Sequence, residues 1–477
     1  MLRDLPPEIQ LLITAHLEDG DKFNLIYTCH YFHDLVISQL YTSLPDAMCV
    51  SSELVDALVR NPALQKYPRY IKIEAWDGGN ESEPESDSED GEGDLLAQEN
   101  GNDDDDPTNW MPQVGLFCKH AKEICLAEED GNWWAKDIRK GYTDAWIALL
   151  LTLSPNLTRL EVQFPLYSRG WVQRIVKWAV ERRFTASVLD HVEEVFVSAR
   201  WPDFTNKGEG EEEAVTDWAL PFLGLPSLKR FGSDALHEVH YRVDEPVPTS
   251  SATQVALSHC AGLQDVKGFI ASFPNLQSYR HESGELALPS RRTYRALLGV
   301  KHTLKEIWLH IRELKSGRDV GGVEWPSFKE FTELETLHVP IFLLEDFHGP
   351  ARNVDLFALL PSSLKTLHVT EAVKDTLPSL FLTLLLYITS GRTTMTEVIV
   401  ATTQADPARD KVRAVMNALK KPHEDLTADE VSDPIYQAAG ALEAACTERE
   451  IRFEFRPAVL LSLEDSWRAP DPFWETR

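Results

Sequence analysis

A few clusters in this sequence carry residue types able to do chemistry. Cys118, His120 and Cys125 place two thiols and an imidazole close together. Those are zinc-binding donor types, but no second ligand pair follows at the spacing a zinc site uses. They read as buried packing residues. Gly91-Glu-Gly93 and Gly208-Glu-Gly210 lie in acidic surroundings, which do not suit a phosphate-cradling loop. The aspartate run at 103–106 lacks the alternating ligands and turn glycine of a calcium loop. His30 and His33 surround Phe32 and read as polar-face residues. No catalytic residue, metal ligand or cofactor is assigned, and the chain reads as a binding protein rather than an enzyme.

A second kind of chemistry, recognition, is better represented. Trp308, His338 and His368 stand at one position of a recurring pattern, thirty residues apart, with His310 two residues after Trp308. Indole and imidazole rings can stack and can also exchange hydrogen bonds, which suits contact with a peptide or protein.

The pattern that positions these rings is apolar, two variable positions, apolar, one variable, apolar. It occurs as Leu157/Leu160/Val162, Val192/Val195/Val197, Leu304/Ile307/Leu309, Leu334/Leu337/Val339, Leu364/Leu367/Val369 and Met395/Val398/Val400. Weaker copies are Ala121/Ile124/Leu126, Leu228/Phe231 and Leu276/Tyr279. Such spacing fits a short strand entered from a loop, with alternate side chains in one core. The residues between them must then face the other way: Glu161, Gln163, Phe196, Ser198, Trp308, His310, Thr336, His338, Thr366 and His368. Trp308, His310, His338 and His368 are therefore expected to line an exposed face that binds a protein target of unknown identity.

Segments of helical period lie between the strands, for example Trp171, Ile175, Trp178 and Ala179. The fold class is α+β or α/β. Periodicity alone allows stacked solenoid units or independently packed α/β layers. The alternation over 111–456 resembles an irregular leucine-rich repeat array, which implies a solenoid with a concave strand face. Residues 457–477 read as a C-terminal tail. The apolar stretch 377–388 is shorter than the ~20 residues a membrane span needs and reads as a buried helix.

At the N-terminus, Pro6, Pro7 and Glu8 suit a helix start after Asp4. Ile9, Leu12, Ile13 and Leu17 follow at helical spacing, and Asp19-Gly20-Asp21 offers a break and a second cap. Two more short stripes carry Phe23, Ile26 and Tyr27, then Phe32, Leu35, Val36 and Leu40. Three helices in so few residues bury little surface. They want either a partner or the rest of their own chain. Leu5-Pro6-Pro7-Glu8-Ile9 with Ile13, Leu17, Leu25, Cys29, Phe32, Leu35 and Leu40-Tyr41 resembles the F-box pattern, with Phe32 where many members carry Trp. That resemblance over 1–45 implies a helical module docking on the Skp-family adaptor of a cullin ubiquitin ligase. It implies adaptor contacts by Leu5, Pro6, Ile9, Leu12 and Ile13, and mixed contact and packing by Leu25, Cys29, Phe32 and Leu35. Residues 46–73 connect this module to the first repeat.

Composition sets the remaining bounds. Of 477 residues, 47 are Lys or Arg and 76 are Asp or Glu, a formal net charge of −29. This argues against nucleic-acid partners, which need clustered cations. Fourteen of the thirty residues in 77–106 are acidic, so 74–110 reads as a solvated, disordered loop. Within it Ser82, Ser86 and Ser88 have acidic neighbours, which resembles casein-kinase-type phosphorylation sites. The six cysteines have no framework spacing and the first residues do not read as a signal peptide. Reduced thiols, a cytoplasmic or nuclear location and no membrane partner are expected.

Overall fold

Each copy of the apolar pattern folds because a short strand can bury its alternate side chains only if a neighbour covers its backbone edge. The computed structural model describes residues 5–44, 52–74, 114–165, 170–199, 219–234, 248–258, 266–283, 291–311, 327–344, 355–402, 409–421 and 427–457. The acidic tract beyond Glu74, both Gly-Glu-Gly motifs, the aspartate run, Cys49, Cys260 and the tail beyond Pro457 lie outside those residues. The chain divides into two compact units, Met1–Lys229 and Arg230–Arg477.

The first unit opens with three helices, α1 (Pro7–Ala15), α2 (Asp19–Ile26) and α3 (His30–Thr42). The N-caps of α1 and α2 are Pro6 and Glu18. Asp19 thus lies inside α2 rather than capping it, because the chain turns one residue earlier than its Asp-Gly-Asp signal suggests. Strands β1 (Ser43–Leu44), β2 (Tyr70–Ile73), β3 (Arg159–Phe164) and β4 (Glu194–Ala199) run parallel in sequence order. Ile71, Leu160 and Val195 share one register and are fully buried. The helices between are α4 (Ser52–Arg60), α5 (Val114–Ile124), α6 (Glu128–Arg139), α7 (Thr143–Thr152) and α8 (Trp171–Val180), and α9 (Leu220–Leu223) follows β4.

Their core is aromatic. The Trp134 and Trp171 rings stack 6.0 Å apart, and Phe117 meets Trp146 edge-on at 5.1 Å. The indole N–H groups are satisfied by backbone, Trp134 on Ala145 O and Trp146 on Ile138 O, both at 3.1 Å. Gly131 lets α6 approach α5 closely, since a Cβ there would stand 2.8 Å from Lys122 Cα. Cys118 and Cys125 are buried in this unit. The Cys118 thiol donates to Ala135 O, and burial pushes the Cys125 thiol up to about 12.

In the second unit β5 (Arg230–Asp234), β6 (Gln254–Ser258), β7 (Ser278–Ser283), β8 (Glu306–Ile311), β9 (Thr336–Pro340), β10 (Thr366–Ala372), β11 (Glu397–Thr402) and β12 (Arg452–Pro457) again pair parallel in order. Ile307, Leu337, Leu367 and Val398 share one register and all are fully buried. The thirty-residue spacing in the sequence is therefore the spacing of stacked strands. One backbone bond repeats at each strand entrance: Lys305 N–H to Gln277 O at 2.7 Å, Glu335 N–H to Lys305 O and Lys365 N–H to Glu335 O at 2.8 Å. Thr396 N–H on Lys365 O and Arg452 N–H on Thr396 O continue it. Units that each hydrogen-bond the next in this way form a solenoid, not independent layers.

Helices α10 (Val266–Ala271), α11 (Arg291–Leu297), α12 (Leu356–Leu359), α13 (Leu377–Thr389), α14 (Arg409–Leu419), α15 (Ala428–Ser432) and α16 (Pro434–Glu448) return the chain between strands. The apolar stretch 377–388 forms α13, which packs on α16 and sets Phe381 against Phe453 and Phe455 of β12. It is not buried all round, since Leu382 and Leu386 point outward. Among the described residues no helix is long and apolar enough to cross a membrane.

Candidate functional site

Parallel strands in register place equivalent side chains about 4.8 Å apart. Arg280, Trp308, His338, His368 and Ile399 are successive partners on β7 to β11. They form one row on the strand face opposite the apolar ladder. Trp308 and His338 have ring centres 4.7 Å apart, and His338 and His368 meet edge-on at 4.0 Å. His310, in the next row, lies 5.2 Å from Trp308 and 6.1 Å from His338. The four rings that the sequence nominated are thus one contiguous cluster.

The cluster is less open than the strand pattern suggested. His310 and His338 are buried, each with 7% exposure, and Trp308 and His368 are only partly exposed. The correction has a simple cause. Flat rings at one strand spacing touch and cover each other, whereas the pattern treats each outward position as solvated. Glu161 and Phe196, expected on the open face of the first unit, are buried too.

Burial governs the electrostatics. It holds the His338 imidazole well below its ordinary value, helped by the neighbouring imidazoles, Arg280 and Arg456. Burial, with Arg456 and His310, pushes His368 down to about 3. Both rings are neutral near pH 7 and can each donate and accept. Among the described residues the Nε2 atoms of His338 and His368 find no hydrogen-bond partner although they are buried. A buried nitrogen left unmatched costs about 1–3 kcal/mol, which a ligand's donor or acceptor would recover. Arg280 sits beside the rings, bonded to Glu306 at 3.0 Å. Its position could have been found from the sequence, because the weak copy Leu276/Tyr279 puts Arg280 where Trp308 stands one strand later.

The N-terminal candidates form a different surface. Gln10 and Thr14 are the buried residues of α1. Gln10 accepts from the Tyr31 hydroxyl at 2.9 Å and donates to Leu5 O at 2.6 Å, while Gln39 donates to Leu11 O. Helix α1 therefore turns its polar side toward α3. Ile9 at 42% and Leu12 at 60% are exposed, as are Leu5, Pro6 and Ile13. Leu25, Cys29, Phe32 and Leu35 are half-buried between α2 and α3. Phe23 and Tyr27 of α2 are also exposed and meet edge-on at 5.0 Å.

The family model for a leucine-rich repeat domain matches residues 114–418. The chain belongs to the leucine-rich repeat domain family. No curated protein matches it. Leucine-rich repeat domains are solenoids that bind proteins on their strand face, and the ring cluster lies on that face here. The parallel pairing runs past the matched span at both ends, since β2 pairs with β3 and β12 with β11. Strand β12 shows in the sequence as alternation of Phe453 and Phe455 with Arg452, Glu454 and Arg456, a signal the leucine-based pattern does not include.

Proposed function

We propose that this leucine-rich repeat protein is the target-receiving subunit of a cullin-type ubiquitin ligase, acting in the cytoplasm or nucleus. The first 45 residues serve as an F-box that docks on a Skp-family adaptor, and through it a cullin. The repeats hold the target. The observation that carries the reading is the orientation of α1: its Gln10–Thr14 side is buried and its Leu5, Ile9, Leu12 and Ile13 side is open. A helix normally buries its apolar stripe, so an inverted one supports a partner that covers it. The half-buried Leu25, Cys29, Phe32 and Leu35 fit the role of shaping that surface from behind. The ring cluster of Trp308, His310, His338 and His368 is the proposed target site. Such a receptor makes and breaks no bond itself. It raises the local concentration of the target's lysines near the charged conjugating enzyme.

The test is capture of purified Skp-family adaptor by the full chain and by its Ile9→Asp/Leu12→Asp variant. Binding by the wild type that the variant loses supports the ligase role. Absence of binding by the wild type removes it, and the chain is then a protein-binding repeat scaffold.

A further inference from the structure

The apolar ladder of the second unit changes character at its last rung. On β8 to β11 the inward pairs Ile307/Leu309, Leu337/Val339, Leu367/Val369 and Val398/Val400 are all fully buried. The partners of Val398 and Val400 on β12 are Phe453 and Phe455. These are larger than any of the eight, yet both are only half-buried. Among the described residues β12 pairs with β11 alone, so its second backbone edge faces away from the sheet. The helix side of the strand is filled: α14 and α16 pack on it, and Phe381 meets Phe453 and Phe455 at 6.1 and 5.2 Å. What stays open among the described residues is the flank where each earlier rung meets the next strand.

Two penalties meet on that flank. Part of each phenyl ring is left in water, and a bare strand edge is a template on which another chain can pair. A solenoid needs a covering segment with a polar outer face at its terminal unit. Residues 458–477 follow directly on Pro457, and the first ten of them hold Val459, Leu460, Leu461, Leu463 and Trp467, with Glu464 and Asp465 between. Their reach is sufficient. Phe453 lies four residues back along β12, about 13 Å at the rise of a strand, whereas ten residues can span about 33 Å.

We propose that residues 458–467 dock on the open flank of β12, laying their apolar side chains against Phe453 and Phe455 and closing the end of the repeat array. The two rival occupants fit less well. A second copy pairing edge to edge in full overlap, antiparallel about Glu454, would set Arg452 opposite Arg456 and Glu454 opposite Glu454, and like charges directly opposite are destabilising. A separate partner must compete with a segment tethered to the strand it covers, whose effective concentration is about millimolar. This assignment is independent of the adaptor and target readings, since it uses neither the α1 strip nor the ring cluster.

The experiment places the photo-cross-linker p-benzoylphenylalanine at Phe453 of the full chain, irradiates it in dilute solution and maps the products by mass spectrometry. Cross-links within one chain from position 453 to residues 458–467 are the expected result. Hydrogen exchange of β11 and β12 is measured beside it in wild type and in Leu460→Asp/Leu463→Asp, which alters no side chain of the described fold. Exchange at β12 should be about tenfold or more faster in that variant, and this arm holds even where the cross-linker at Phe453 perturbs packing. Absence of any cross-link to 458–467 in the folded protein overturns the proposal. So do cross-links that join two chains, or equal exchange at β12 in wild type and variant.

Discussion

The Tyr31 hydroxyl donates to Gln10 Oε1 at 2.9 Å, and this bond between α3 and α1 decides which side of α1 faces inward. Gln10 and Thr14 are buried while Ile9, Leu12 and Ile13 face out. The sequence stripe marks the same apolar residues but is silent on what they contact.

Substitutions on the two sides of α1 should therefore have opposite signatures. Ile9→Asp/Leu12→Asp should leave unfolding free energy within about 0.5 kcal/mol of wild type, as exposed substitutions do, while removing adaptor binding. Tyr31→Phe leaves the Gln10 amide short of a partner and should cost about 1 kcal/mol. Urea titrations of both proteins, beside the adaptor pull-down, separate the two effects.

The second unit should weaken in acid. Burial holds His281 at about 4, His368 at about 3 and His338 well below 6.5. The unfolded chain protonates these rings below about 6.5, whereas the folded one resists until much lower pH. Between those values the unfolded state binds more protons, so stability is full above about 6.5 and falls as pH drops toward 4. The loss from His281 alone is on the order of 3 kcal/mol. Urea unfolding from pH 7 to 4 should show a steeper decline for wild type than for His281→Gln. Identical slopes would contradict the assignment.

His338 pairs a stability cost with a proposed binding role. Its Nε2 is buried and unmatched among the described residues. His338→Phe keeps a ring against Trp308 and His368 but removes that nitrogen, and should stabilise the fold by about 1 kcal/mol. The proposed target contact should weaken all the same, and Trp308→Ala/His338→Ala/His368→Ala should abolish it. Cross-linking of wild type and variants in the same extract, followed by mass spectrometry, reads the difference. An identical set of cross-linked proteins would remove the ring cluster from target binding.

Two glycines give a packing test. A Cβ on Gly131 would stand 2.8 Å from Lys122 Cα, while one on Gly440 of α16 meets nothing within 4 Å. Gly131→Ala should cost about 1–3 kcal/mol by forcing α5 and α6 apart. Gly440→Ala should gain about 1 kcal/mol from the reduced freedom of the unfolded chain. Differential scanning calorimetry should move the two melting temperatures in opposite directions.

The sequence by itself determined the repeat and its register. Leu304, Leu334 and Leu364 recur at thirty residues because each must fill the same place in one continuous core, so Ile307, Leu337 and Leu367 stack as partners. It also placed Trp308, His338 and His368 at one equivalent position. Tertiary structure alone decided how open that position is, since ring-on-ring cover depends on the neighbouring strand. It alone decided that α1 buries glutamine and threonine, because hydrogen bonds from Tyr31 and Gln39 override the apolar stripe. The seating of Arg174 over the Trp133 ring at 3.9 Å was also invisible in the chain. Trp133 and Arg174 lie far apart in sequence and meet only where α6 and α8 pack together.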